Sequence, residues 1–256
     1  MIKILYAIYI FFLLFISPNL FMLFFLVLSM NHEKFIAIRD YFARIDEERK
    51  RTQTFSGWTG VGMFVPSSLT HLYAGFQHLI NTGAIDQQGL LLDAGCGDGR
   101  VLALLAGVFN IPCFGIEYSQ QLVETGERYL AELRERSLFK GAVPRFVQGN
   151  FCHDETYVRA GVRFQDIKTI FNFVSCVDDV TALVASKSPI GTKVVVYGTP
   201  QISERFDLLT LEHKIELVDA TTMIRAIKLY VDATGSFRHE DRGHVPSVDS
   251  MYVYKK

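Results

Sequence analysis

Residues 90 to 100 read Leu-Leu-Leu-Asp-Ala-Gly-Cys-Gly-Asp-Gly-Arg, and this stretch decides the fold. The apolar run that ends at Asp93 is typical of a buried strand. Three alternating glycines follow it, Gly95, Gly97 and Gly99. A glycine lets the backbone pass close beneath a ligand because it has no Cβ atom. A helix that begins near Gly99 would direct its free N–H groups toward that ligand. We therefore predict a strand, a ligand-binding turn and a helix, in that order.

Further strand-like runs follow at regular intervals, at residues 112–117, 145–148, 168–174 and 193–197, with helical periodicity between them. Strands that alternate with helices predict a parallel sheet covered on both faces. Near the C-terminus, the runs 215–218, 227–232 and 251–254 lack good helices between them. The predicted fold class is therefore α/β, a doubly wound, mostly parallel Rossmann-like sheet with an antiparallel C-terminal edge hairpin.

Composition limits the classes of protein to consider. The chain has 256 residues, of which 49% are hydrophobic, and a formal net charge of −1. This length suits one well-buried domain with an appendage, and the even charge balance gives no support for an obligatory nucleic-acid partner. The four cysteines show no C-x-x-C pairing, which indicates reduced thiols, and no residue set predicts a metal site. They are Cys96, Cys113, Cys152 and Cys176.

The appendage is at the N-terminus, where no charged residue occurs from Ile4 to Met30. If helical, this run exceeds the ~30 Å hydrocarbon thickness of a bilayer, so residues 1–30 are predicted to be a transmembrane anchor. A cleaved signal peptide and a hairpin that turns at Pro18 remain alternatives. The basic residues that follow favour a single-pass protein with its large domain on the cytoplasmic side. They are Lys34, Arg39 and Arg44.

Two segments follow the anchor. Residues 31–55 have apolar residues at helical spacing and end in the charged stretch 46–51, so we predict a solvated juxtamembrane helical stalk with one packed face. Residues 56–256 form the predicted main domain. Within it, Ser67 or Ser68 is placed to cap a helix through Ile80, and Ser119 is placed to cap a helix through Arg136.

The glycine stretch and a carboxylate one strand later carry a family resemblance. Asp93 and Glu117 are 24 residues apart, which is the length of a turn, a helix and a strand, so both should reach the carboxyl ends of neighbouring strands. The pattern from Asp93 to Gly99, with Glu117 after it, resembles class I S-adenosylmethionine-dependent methyltransferases. A dinucleotide enzyme is the nearest alternative, but its G-x-G-x-x-G pattern differs from G-x-G-x-G. A glycine turn that binds no ligand is a further alternative.

The resemblance implies a role for each matching position. Asn150 would meet the adenine amino group, where many relatives have an acidic residue, and Phe151 would lie along the adenine ring or simply pack. Asn172 would orient the methyl acceptor and is the predicted catalytic residue, whereas Asp178 and Asp179 are expected to begin the next helix. The predicted S-adenosylmethionine site comprises Asp93, Gly95, Cys96, Gly97, Gly99, Glu117, Asn150 and Phe151.

The branch of the family is indicated by shorter matches. The hydrophobic start, the element at 65–67 and the terminal stretch 249–254 resemble membrane-anchored protein-lysine methyltransferases. The resemblance therefore implies an enzyme that methylates a protein lysine beside a membrane, with the membrane and a protein substrate as partners. A small molecule or lipid acceptor is the alternative within enzymes. A protein that binds S-adenosylmethionine as a scaffold, without transfer, is the alternative outside them.

Overall fold

The computed structural model describes residues 18–54, 56–59, 62–139, 141, 143–173, 176–198, 209–217 and 249–256. Six α-helices, one short 3-10 helix at Phe164–Asp166 and nine strands lie within these ranges. The helices are α1 Pro18–Arg51, α2 Leu69–Asn81, α3 Arg100–Gly107, α4 Gln120–Glu135, α5 Asp154–Ala160 and α6 Val177–Lys187. The strands are β1 Gly57–Trp58, β2 Met63–Phe64, β3 Leu90–Ala94, β4 Cys113–Glu117, β5 Arg145–Gln148, β6 Ile167–Phe173, β7 Lys193–Gly198, β8 Thr210–Leu217 and β9 Asp249–Lys255.

Seven of the strands form one sheet in the order β5-β4-β3-β6-β7-β9-β8. The first five are parallel, and β9 is antiparallel to both of its neighbours. The predicted α/β fold with a mostly parallel sheet is therefore confirmed. The expected antiparallel C-terminal pair is present at the edge of the sheet, with β9 next to β7 and β8 as the edge strand. The predicted strand at 227–232 lies outside the described residues.

Helices cover both faces of the sheet, as the alternating pattern predicts. One core cluster joins the sheet to α1, α2, α3 and α4, and a second joins its other face to α5 and α6. The predicted caps are also present: the side-chain oxygens of Ser68 and Ser119 accept hydrogen bonds from the backbone N–H groups of His71 and Leu122, both at 3.4 Å.

Helix α1 runs without interruption through the predicted boundary between anchor and stalk at residues 30 and 31. Its packed face is found as predicted, with Phe35, Ile38, Tyr41 and Phe42 all buried in the core cluster. The packed face of α1 contacts α3, and the opposite face is exposed.

The predicted anchor lies largely outside the described part of the chain, which begins at residue 18. Among the helices that the structure describes, none combines the length and the apolar character required to cross a bilayer.

Candidate functional site

The glycine turn after β3 lies at the carboxyl edge of the parallel strands, as the sequence predicts. The backbone N–H groups of Gly95 and Cys96 both donate to the carbonyl of Ile116, which holds the turn against β4. Glycine is required at position 97 for two reasons: φ is +55°, and an added Cβ would lie 2.8 Å from the Phe64 ring. The turn is thus closely packed, and α3 begins directly after Gly99.

Glu117 is the last residue of β4 and points back to the glycine turn. One carboxylate oxygen accepts the N–H of Gly97 at 3.0 Å, and the other accepts the N–H of Ser119 at 2.8 Å. An ionised carboxylate offers about four acceptor positions, so each oxygen can accept one more hydrogen bond. Glu117 is therefore fixed in place and can still accept two hydroxyl groups, which is the pattern of a ribose diol.

Asp93 lies in β3 opposite Gly115, two residues before Glu117 on the neighbouring strand, and its Oδ2 is buried with no hydrogen-bond partner within the described residues. Burial raises the pKa of Asp93 well above its usual value, and the neighbouring carboxyl groups of Glu117 and Asp98 raise it further. An unpartnered buried polar atom has a free-energy cost that a bound polar ligand would remove. Asp93 therefore fits a ligand-binding role.

A cavity of about 720 Å³ lies above the turn, within the range of ordinary small-ligand sites. All eight predicted cofactor residues except Gly99 line it. Gly99 does not line the cavity. Its φ is +77°, and an added Cβ would lie 2.4 Å from the Phe146 ring. Seven of the eight predicted residues therefore lie at one cavity, and the eighth, Gly99, supports the turn.

Asn150 and Phe151 follow β5 at the far side of the cavity. The Oδ1 atom of Asn150 accepts the N–H of Cys152 at 2.8 Å, so the amide oxygen fixes this turn and retains one acceptor position. Phe151 lines the cavity and also packs against the second core cluster. The two alternatives for Phe151, a ligand contact and packing, are therefore compatible.

Asn172 is not among the residues that line the cavity, so its predicted catalytic role stays a prediction. Its side chain is buried in β6 and donates its amide N–H to the carbonyl of Ala94 at 2.8 Å, while its Oδ1 is buried with no hydrogen-bond partner within the described residues. The reason for its position is the alternation of side chains along a strand: Phe171 and Phe173 face the cavity, so the residue between them faces the other side. Asn172 joins β6 to β3.

An ion network beneath the turn was not predicted. Asp98 accepts hydrogen bonds from Arg49 at 2.7 Å and from Arg100 at 2.9 and 3.0 Å, and Arg100 also donates to both carboxylate oxygens of Asp46. Burial opposes ionisation of Asp98, but the two guanidinium groups lower its pKa below the usual value. The stretch 46–51 was interpreted as solvated, whereas two of its side chains hold the glycine turn.

A short antiparallel hairpin, β1–β2, covers the cavity and was also not predicted. Phe64 and Val65 line the cavity, and the Arg49 guanidinium lies 5.0 Å from the centre of the Phe64 ring. Arg49 therefore connects the cover to the turn, since its other contact is Asp98.

The remaining wall of the cavity is the candidate acceptor region. Phe173 stacks on Tyr197 with ring centres 4.9 Å apart, and the Tyr197 hydroxyl lies 3.0 Å from Nδ1 of His71. Asp179, in the first turn of α6 as predicted, lines the cavity, as does Cys176. The four cysteines are free, as expected, but Cys176 is exposed. An aromatic wall beside a carboxylate suits a cationic group.

Comparisons with known proteins find structural likeness only. No protein-family model and no curated protein matches the sequence. The fold is similar to that of the [4+2]-cyclase SpnF, with a TM-score of 0.50 and 14% identity over 73% of this chain and 81% of the cyclase.

Two other solved structures have lower TM-scores. An RNA methyltransferase from Salinibacter ruber, in complex with S-adenosyl-L-homocysteine, has a TM-score of 0.45 and 15% identity over 75% of this chain and 93% of its own. A geranyl diphosphate C-methyltransferase from Streptomyces coelicolor A3(2) has a TM-score of 0.46 and 15% identity over 71% of this chain and 75% of its own. At these identities the comparisons establish the fold, and the chain shares it with the cyclase.

Proposed function

We propose that this chain is an S-adenosylmethionine-dependent methyltransferase that acts on a protein lysine amine near a membrane. The observation that carries the proposal is the pair Asp93 and Glu117 at the ends of adjacent parallel strands, above a glycine turn that lines the cavity. Open α/β sheets bind ligands at this edge. The Glu117 carboxylate suits a ribose diol, and the unpartnered Oδ2 of Asp93 suits a polar group of the methionine moiety.

The charge of the cavity supports a cationic cofactor. The carboxyl groups of Glu117 and Asp179 line it without a basic partner among the described lining residues. Asp93 and Asp98 also line it, but the pKa of Asp93 is raised by burial and Asp98 is ion-paired with Arg49 and Arg100. Among the described lining residues, the only basic side chain is Arg100, whose guanidinium is already held by Asp98 and Asp46. A lining with excess negative charge attracts positive charge and disfavours anionic ligands. The bound cofactor would supply a methyl group on a positively charged sulfur.

The same charge supports an amine as the acceptor. The Asp179 carboxylate would hold the ammonium form of the arriving group, and Phe173 would place the neutral amine by contact with its ring. Positioning supplies most of what such a displacement requires. The ammonium form would first release a proton to water or to Asp179, which frees the lone pair of the nitrogen. That pair would form the bond to the methyl group as the bond between the methyl group and the sulfur breaks, and the methylated nitrogen would release its extra proton to water.

The first experiment tests the cofactor. Glu117→Gln leaves one acceptor oxygen where there were two, and one charge-assisted hydrogen bond contributes about 1.5–3 kcal/mol, so we expect affinity for S-adenosylhomocysteine to fall roughly 10- to 100-fold in calorimetry. Glu124→Gln, an exposed change on α4, is the matched control and should leave affinity unchanged. Melting curves without ligand check that both variants fold. Equal affinities in folded proteins would contradict the assignment.

The second experiment tests the acceptor. Labelled cofactor and a membrane fraction should give label in protein, as methyllysine, and the KM for that protein should rise in Asp179→Asn. Asp178→Asn is the control, because Asp178 is the exposed neighbour and does not line the cavity. Label in small molecules or lipid would support the alternative acceptor and contradict the lysine assignment.

A second candidate, cofactor binding as a scaffold without transfer, is favoured by one observation. Asn172, the residue expected to orient the acceptor, donates to the Ala94 carbonyl and does not line the cavity. Tight binding of the cofactor with no label in any fraction would support this candidate.

The membrane location of the proposal rests on sequence. The uncharged run from Ile4 to Met30 supports a single-pass anchor, and Lys34, Arg39 and Arg44 after it support a cytoplasmic position for the domain. Co-flotation of the full chain with phospholipid vesicles tests this part. Recovery of the protein only in the dense fractions would contradict it.

A further inference from the structure

Helix α1 is fixed at its N-terminal side to the edge of the sheet where the parallel strands begin. The Lys34 ammonium donates to the carbonyl of Gly107 at 3.1 Å and to that of Leu138 at 2.9 Å. Gly107 is the last residue of α3, and Leu138 follows the end of α4. Both helices descend from the cavity edge, so their C-terminal ends mark the opposite edge of the domain.

The C-terminal side of α1 is fixed at the cavity edge. Asp46 and Arg49 bind Arg100 and Asp98 in the glycine turn. From Lys34 to Arg49 the helix rises about 22 Å at 1.5 Å per residue, and a five-residue strand spans roughly 17 Å. Helix α1 therefore crosses the full height of the domain, from the edge opposite the cavity to the cavity itself.

It follows that the chain before Lys34 leaves the domain on the side opposite the cavity. His32 and Glu33 are exposed, whereas Phe35 is buried, which marks the point of departure. The uncharged run ends at Met30, and Arg49 is about 29 Å further along the helix axis.

The outer face of α1 favours an upright helix over one that lies on a bilayer. Its exposed charged residues carry both signs: Glu33, Asp40, Arg44, Glu47, Glu48, Lys50 and Arg51. Helices that lie in a bilayer interface instead have a broad apolar face, which the exposed side of residues 31–51 does not have.

We propose that the acceptor is a protein segment in the aqueous phase, reached about 30 Å from the bilayer, and that a lipid within the bilayer does not reach the cavity. This inference rests on the proposed function, including its membrane anchor. The rim of the cavity fits a protein partner, because Trp58 is 73% exposed, Met63 58% and Tyr118 46%. Aromatic and methionine side chains are enriched in protein interfaces, and the acidic lining complements a basic segment.

Trp58 makes the inference testable without activity, because it is the only tryptophan of the chain. The full chain is incorporated into phosphatidylcholine vesicles that contain a lipid with a nitroxide on its headgroup. We expect no loss of Trp58 emission relative to vesicles without nitroxide. The control, W58F/E33W, moves the sole tryptophan from β1 to the middle of α1, close to the predicted bilayer surface, where we expect strong loss of emission.

Each outcome decides the inference. Equal quenching in the two proteins, or failure of the chain to float with the vesicles, would overturn it. Label from the cofactor that enters lipid and not protein would also overturn it. Calorimetry with S-adenosylhomocysteine on the same vesicles separates this failure from that of the proposed function. If Trp58 is quenched but the ligand still binds, only the inferred distance from the bilayer is contradicted. If the ligand does not bind, the cofactor assignment is contradicted.

Discussion

Asp98→Asn tests the ion network beneath the glycine turn and keeps the shape of the side chain. The side chain of Asp98 is 1% exposed and that of Arg100 is 4% exposed. Without the carboxylate, Arg100 keeps its contact with Asp46, but Arg49 loses its ion pair. Removal of one partner from a buried ion pair costs about 3–5 kcal/mol. Since domains are stable by about 5–15 kcal/mol, the variant should still fold, with a clearly lower free energy of unfolding.

Urea denaturation at several pH values is the assay, because a change in midpoint at constant m-value reports stability alone. The pKa of Asp98 in the folded protein is lowered, since the guanidinium groups outweigh the opposing effect of burial. A lowered carboxyl pKa gives stability above the unfolded-state value of about 3.9, and this stability is lost as pH falls through the folded-state pKa. The difference in the free energy of unfolding between wild type and Asp98→Asn should therefore be largest at neutral pH and should decrease below about pH 4.

The matched control is Asp166→Asn, which breaks the ion pair between Arg163 and Asp166 on the surface. Those side chains are 80% and 47% exposed, and water screens such a pair, so we expect no shift of the urea midpoint. The reasoning fails if Asp98→Asn shifts the midpoint no more than the control does. It also fails if the difference from wild type is as large in acid as at neutral pH.

Two other predictions concern the turn and the thiols. Gly99→Ala should lower the melting temperature more than Gly191→Ala, because φ is positive at both positions but only at Gly99 would the new Cβ meet Phe146, at 2.4 Å; calorimetric melting compares them. Cys176 should react with a maleimide in the native protein and Cys96 only after unfolding, because burial raises the pKa of the Cys96 thiol well above its usual value; peptide mapping identifies the labelled sites.

Local patterns in the sequence were sufficient for the parallel strands and for the glycine turn. The run before Asp93 and the spacing to Glu117 depend only on strand and helix lengths, and the structure brings both residues to one cavity. The serine caps were equally predictable, because a cap acts on backbone groups two or three residues away.

Features that depend on distant contacts were not predictable from such patterns. Arg49 and Asp98 are 49 residues apart, and nothing in a charged stretch distinguishes a buried pair from a solvated one. The position of Asn172 outside the cavity lining was not predictable for a different reason, because the side of the sheet to which a strand residue points depends on a register of one residue. The β9 position between β7 and β8 depends on a pairing across the chain.

The two hydrogen bonds from Lys34 to the C-terminal ends of α3 and α4 have a consequence for synthesis of the chain. Its partner Leu138 is 104 residues later in sequence. At about 5–20 residues per second, a ribosome takes roughly 5–20 s to make that stretch. During this time the apolar face of α1 is covered only in part, because Tyr73, which stacks on Phe35, is made early, whereas Tyr129, which contacts Phe42, is made near the end. The nascent chain therefore has exposed apolar surface on α1 until α4 has been made.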